Sequence, residues 1–281
     1  MKKIGFIDYY LHEWHADNYP KWISDYSGGQ MQVSYAWGEI DSPNAGAKTN
    51  KTWCEENGVK LCASIDEVIS SSDYIVVLSP DNPERHMDLC KLPLVSGKRV
   101  YVDKTFAVCK ADAEFMIDYA KKNNTPFFTS SALRYAPEYR NYPKNNIESI
   151  DSRGPGKFLG YGIHQVEPLV FLMGGCAHRV ICSGGADAAN PTFIFEYKDG
   201  RRAVTHHFVG DIGFGMIIYN KDGKSADLKI ESDFFKHFIK DMIRFFETGE
   251  PSFEFSQTIA VAAMLEAGEK AMARPGEWVE V

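Results

Sequence analysis

Through the first 130 residues, short apolar segments alternate with segments of helical periodicity, and few architectures accommodate that order. Residues 3–7, 31–37, 74–78, 99–102 and 126–129 read as strands. Between them the spacing predicts helices over 12–25, 53–57, 64–69, 83–94 and 110–123. Ser64 with Glu67 three residues on is a capping-box pattern, and Gly58 and Gly97 read as helix stops. Ala113, Met116, Ile117 and Ala120 fall at i, i+3, i+4 and i+7, which puts one apolar face inward. The run Tyr-Ile-Val-Val-Leu at 74–78 does not alternate, as expected of a strand covered on both faces. Strand–helix alternation of this kind predicts an α/β domain, a Rossmann-like parallel sheet with helices on both faces, over residues 1–130.

The remainder, 131–281, is patterned differently. A helix is predicted over 164–173, stopped by Gly174-Gly175, with Pro168 tolerated if it lies near the first turn. Strand-like runs follow at 192–197, 203–209, 216–219 and 226–230. Asp199-Gly200 and Asp222-Gly223 are hairpin signals. Helices over 232–247 and 256–273 complete an α+β domain with a largely antiparallel sheet.

The formal net charge of −7 and the lack of basic runs argue against a nucleic-acid partner. No stretch reads as a signal-peptide core or a bilayer span, so no membrane partner is expected either. Six cysteines without a C-x-x-C spacing suit free thiols in a reducing, cytoplasmic setting.

Lys104 is the first candidate for chemistry. It follows Asp103 at the carboxyl end of a predicted strand, and strand ends of that kind line the ligand crevice of an open α/β sheet. A lysine capping a strand at the surface is the alternative. His12-Glu13-Trp14-His15 has metal-like spacing but no third ligand beside it, so no metal is expected. His206 and His207 fall on opposite faces of a strand and do not chelate together.

The strand followed by Asp103-Lys104-Thr105 resembles the Glu-Lys-Pro motif of the glucose–fructose oxidoreductase, inositol dehydrogenase and rhizopine-catabolism (Gfo/Idh/MocA) family. Further motifs occur in the family's order: Ser64-Ile-Asp-Glu-Val, Ser79-Pro80 with His86, Gly97-Lys98-Arg99-Val100, Leu133-Arg134-Tyr135-Ala136-Pro137, Tyr161-Gly162-Ile163-His164 and Gly249-Glu250-Pro251. The resemblance implies a cytoplasmic oxidoreductase transferring hydride between NAD or NADP and a sugar, cyclitol or related polyol. It implies His164 as the base and Lys104 as the group that holds the reacting oxygen. Arg134, Tyr135, Tyr161 and Glu167 would contact substrate, although Arg134 is equally suited to a structural ion pair between the domains and Glu167 to orienting the imidazole. The cofactor would lie against Asp8, Tyr10, Leu11, His12, Ser79, Pro80 and Asp103. Glu39 or Asp41 would accept its ribose hydroxyls. A homodimer or homotetramer is implied as well.

Two departures open alternatives. Where the family's G-x-G-x-x-G belongs, this chain has Asp8, Tyr10 and Glu13. Side chains there push a pyrophosphate outward, and two carboxylates repel it. Gly160 also stands where an aspartate is common. A ligand-binding accessory protein, or a non-redox acid–base enzyme on the same fold, therefore remains open alongside the dehydrogenase.

Overall fold

A computed structural model describes all 281 residues. In chain order the strands and helices are β1 (Lys2–Asp8), α1 (Trp14–Tyr26), β2 (Met31–Gly38), α2 (Asn50–Asn57), β3 (Lys60–Leu61), α3 (Ile65–Ser71), β4 (Tyr74–Val77), α4 (His86–Leu89), β5 (Arg99–Val102), α5 (Lys110–Lys122) and β6 (Phe127–Thr129). They continue as α6 (Pro137–Arg140), β7 (Ile147–Pro155), α7 (Phe158–Tyr161), α8 (Ile163–Met173), β8 (Arg179–Ser183), β9 (Thr192–Glu196), β10 (Arg202–Phe208), β11 (Gly215–Asn220), β12 (Ser225–Lys229), α9 (Phe234–Thr248), α10 (Phe255–Met272) and β13 (Trp278–Glu280).

Two compact units result. The first holds residues 1–107, 114–130 and 236–253, and the second holds 108–113, 131–235 and 254–281.

In the first unit six strands form a sheet in the order β3-β2-β1-β4-β5-β6, every pair parallel. Its centre is fully apolar: all four residues of β4 are buried, as the unbroken run at 74–78 requires. The chain leaves the edge at β3 and returns past β1 to β4, so the ends of β1 and β4 flank the switch point where such sheets bind ligands. Ser64 caps α3 as the capping-box pattern predicts, its Oγ accepting the Glu67 N–H at 3.2 Å.

The single helix expected over 83–94 is instead three short pieces, a 3-10 turn at Pro83–Arg85, α4, and a 3-10 turn at Pro93–Val95. Pro93 has no N–H to continue α4, and its ring excludes a carbonyl four residues back.

The second unit carries a seven-stranded sheet in the order β12-β11-β7-β10-β9-β8-β13. All pairs are antiparallel except β7 with β10. The hairpin turns fall at Asp199-Gly200 and Asp222-Gly223 as expected. Strand β7 is invisible in the hydropathy because its buried positions include Ser152 and Gly154 beside Ile147 and Ile150. Pro168 lies deeper than the first turn of α8, at its sixth residue. Helices α8 and α10 pack on the sheet through Val166, Leu169, Val170, Val261, Met264 and Ala271. All six cysteines are free thiols, and no helix is long and apolar enough to cross a membrane.

Candidate functional site

The candidate residues fall into two groups, one in each unit.

In the first unit, Lys104 and Asp103 follow β5. Lys104 is 8 % exposed, and its Nζ donates to the Pro80 carbonyl at 3.1 Å. The Lys104–Thr105 peptide is cis. Asp103 is buried and held on every side. Its Oδ1 accepts the Lys104 N–H at 2.8 Å and lies 2.9 Å from the Tyr101 hydroxyl, while Oδ2 binds His15 Nδ1. Burial pushes the Asp103 carboxyl up, but His15 and Lys104 together outweigh it and hold the group below the ordinary carboxylate value. Ser79, at a φ of 88°, turns the chain after β4 and donates its hydroxyl to the Asn82 carbonyl at 2.9 Å. His86 ties this turn to the lysine loop, with Nε2 2.8 Å from the Leu78 carbonyl and Nδ1 2.8 Å from that of Thr105. Burial lowers its pKa, while Asp103 and the carbonyls pull the other way.

The loop after β1 is closed. Asp8 is 1 % exposed; Oδ1 takes the Tyr9 N–H at 2.7 Å, and Oδ2 is buried with no hydrogen-bond partner. Glu13 is the N-cap of α1. Its two carboxylate oxygens accept the His15 and Ala16 N–H groups at 2.7 and 2.5 Å. Burial raises both acids well above the ordinary carboxylate range, and for Glu13 the Asp8 charge adds to the effect. Tyr10 and Leu11 are buried. The Leu11 N–H donates to Asn50 Oδ1 at 2.9 Å, and His12 Nδ1 accepts the Lys48 N–H at 2.9 Å. Gly38 permits this closeness, since a Cβ there would sit 2.5 Å from Asn50 Nδ2. Asp41 accepts the Asn50 N–H at 2.6 Å, and the Glu39 carboxylate is bound by Arg85 at 2.6 to 3.2 Å.

In the second unit, His164 stands in the first turn of α8. Its Nδ1 lies 2.7 Å from Ser131 Oγ. Ser131 is fixed in turn: its N–H donates to Glu167 Oε2 at 2.6 Å, and its Oγ accepts the Leu133 N–H at 3.3 Å. Glu167 pairs with Arg134 at 3.4 Å, both side chains 5 % exposed. Arg134 also reaches Gln257 and covers the Phe171 ring. Glu167 thus connects to the imidazole through Ser131, and Arg134 makes its ion pair inside this unit. Tyr161, half exposed, stands edge-on to the His164 ring at 5.3 Å. Tyr135 is 1 % exposed and packs under Arg140. Gly160, where the aspartate is common, has a φ of 89°, a conformation that disfavours any side chain.

Three functional residues escaped the sequence reading. Glu is not a preferred N-cap, so nothing marked Glu13 as one. Ser131 and Asn50 act through tertiary neighbours that no local spacing signals.

Residues 40–130 match the model of a family described as an oxidoreductase family with an NAD-binding Rossmann fold, GFO_IDH_MocA. A probable dehydrogenase from Thermotoga maritima superposes with a TM-score of 0.80 at 15 % identity, covering 99 % of this chain and 98 % of that one. The two chains share one fold. A myo-inositol 2-dehydrogenase from Lactobacillus plantarum superposes at 0.76 and 13 % identity, over 100 % and 99 % of the two chains. At such identities the two likenesses show the fold alone. An uncharacterized oxidoreductase from Streptococcus pneumoniae is 28 % identical over 163 residues, 47 % of this chain, and the match spans 42 % of that relative's length.

The Gfo/Idh/MocA match begins at residue 40, beyond the loop at 8–13. In that loop this chain departs from what a dinucleotide requires. The N–H groups that would take the pyrophosphate are held by Glu13, and a buried carboxylate sits where the first glycine belongs. The residues present there do not fit the cofactor.

Proposed function

We propose that this protein is an enzyme working on a hydroxyl or carbonyl group of a sugar, cyclitol or related polyol, with Lys104 and His164 as its catalytic residues. The observation that carries the reading is Lys104, a nearly buried ammonium at the carboxyl end of β5 in a Gfo/Idh/MocA-type sheet. Lysine is seldom buried without a partner that needs its charge.

The chemistry proposed is that of the proton and the oxygen. A substrate hydroxyl gives its proton to His164 Nε2, and the oxygen left behind is stabilised by the Lys104 ammonium. For Nε2 to act as base, Nδ1 must carry the other proton and donate it to Ser131 Oγ. That oxygen has a second lone pair besides the one taken by the Leu133 N–H. Ser131 and Glu167 are positioning residues in this scheme. Tyr161 would bind a neighbouring hydroxyl. A setting that keeps all six thiols reduced, such as the cytoplasm, is proposed with it, and a homodimer or homotetramer as the working form.

Glu13 favours a second reading on the same residues, in which proton transfer alone epimerises or dehydrates the substrate. One experiment serves both. The protein is incubated in D2O with inositols, aldoses and their keto forms, with and without added NAD or NADP as the hydride partner, and exchange at carbon, change of cofactor redox state and turnover are followed by proton NMR. Lys104→Ala and His164→Ala are each expected to reduce the rate by at least about 100-fold. A folded Lys104→Ala protein with full turnover would defeat the proposal.

A further inference from the structure

We infer that the first unit has closed its dinucleotide site with its own carboxylate: Glu13 occupies the α1 N-terminus in place of a pyrophosphate, so the protein does not take NAD or NADP there. The inference rests on the geometry of residues 8–50 and is independent of which polyol the enzyme handles.

A helix N-terminus binds a phosphate because its first N–H groups have no intrahelical partner and the helix dipole favours negative charge. In α1 that anion is supplied from within. Both Glu13 oxygens are engaged, one by His15 N–H and one by Ala16 N–H, and Glu13 is only 9 % exposed. A pyrophosphate reaches those groups only by displacing Glu13, which would then lie beside the incoming phosphates as a like charge. Asp8 stands at the base of the same loop with a buried, partnerless Oδ2, and its side chain fills the position where a glycine would let the backbone approach a pyrophosphate.

The loop also has no room to yield. Three ties hold it to the segment after β2: Ile40 N–H to the Tyr9 carbonyl, Leu11 N–H to Asn50 Oδ1, and Lys48 N–H to His12 Nδ1, each 2.9 Å. Glu39, one of the two acids expected to meet a ribose, is already clamped by Arg85, which in turn covers the Tyr9 ring. The α1 N-terminus, the loop after β1 and Glu39 are therefore all engaged by the chain itself.

The test is titration of the purified protein with NADH, NADPH and ADP-ribose by calorimetry, checked by energy transfer from tryptophan to the reduced nicotinamide. The wild type is expected to show no saturation up to about 1 mM. Glu13→Gly, and the triple variant Asp8→Gly/Tyr10→Gly/Glu13→Gly, are expected to gain at least about 10-fold in ADP-ribose affinity. Micromolar binding of NADH or NADPH by the wild type overturns the inference and restores a hydride-transferring enzyme. A folded Glu13→Gly protein with no gain also overturns it, because Glu13 is then not what closes the site. If the glycine variants do not fold, Glu13→Gln, which keeps one accepting oxygen of the cap and removes the charge, must bind ADP-ribose more tightly than the wild type. Failure of this inference leaves the roles of Lys104 and His164 to be decided by the exchange experiment.

Discussion

His207 is 1 % exposed, with its ring edge-on to Phe158 and Phe193. Gln165 Nε2 donates to its Nδ1 at 3.3 Å, and its Nε2 faces Thr205 Oγ1 at 3.1 Å, a pattern that a neutral imidazole satisfies. Burial, with His206 adding to it, pushes its pKa down to about 4. The unfolded chain therefore binds this proton more readily than the folded one. The stability involved is fully present above the ordinary histidine value and is lost as pH falls from there towards 4, a loss on the order of 2–3 kcal/mol. His207→Gln is expected to flatten urea-melt stability between pH 7 and pH 4.5, and an unchanged slope would contradict the assignment. Asp8 works in the opposite sense. Its raised pKa makes its contribution complete below the ordinary carboxylate value and lost as pH rises through the folded one. Asp8→Asn should therefore raise the melting temperature more at pH 8 than at pH 5 in calorimetric scans. The reverse order would show that Asp8 is held as a stabilised anion.

At the scale of elements, the first unit recruits residues 236–253 from late in the chain, and aromatic packing explains why. Phe238 and Phe245 of α9 are fully buried, Phe238 lying 5.4 Å from the Tyr101 ring and 5.9 Å from Tyr19, Phe245 4.8 Å from Phe128. Phe246 stacks on Tyr74 at 4.9 Å, and its carbonyl accepts from Arg99 at 2.6 Å. Phe238→Ala is expected to cost about 3–5 kcal/mol in urea unfolding, whereas a cost below about 1 kcal/mol would mean that α9 is not part of this core. Ser131→Ala tests the element that carries His164. Losing the Nδ1 partner should leave substrate KM nearly unchanged, lower kcat by about 10-fold or more, and shift the acid limb of the pH–rate profile. A change in KM alone would make Ser131 a packing residue.

For the molecule as a whole, each unit buries its own core. The second sheet presents Ile194, Val204 and Ile217 half-buried on its strands, with Tyr219 exposed. A sheet face of that character is normally covered. Sedimentation equilibrium is expected to return a dimer or tetramer, and a monomer at every concentration would refute the proposed assembly.

Periodicity was enough for the parallel sheet, because strands buried on both faces and helices with one apolar face leave their spacing in the residues themselves, as at 74–78 and in Ala113, Met116, Ile117 and Ala120. The candidate lysine stood out at the end of a predicted strand, whereas the candidate histidine was marked by the resemblance of Tyr161-Gly162-Ile163-His164 to a family motif. Strand β7 was not, because its sheet partners tolerate Ser152 and Gly154 at buried positions. Nor was the placement of residues 236–253 with the first unit, which depends on rings far apart in sequence. The sequence alone determined that Asp8, Tyr10 and Glu13 stand where glycines would admit a pyrophosphate. Only the tertiary structure decided what they do instead, because a carboxylate seated on two backbone N–H groups is a matter of where the chain turns, and no spacing rule encodes that turn.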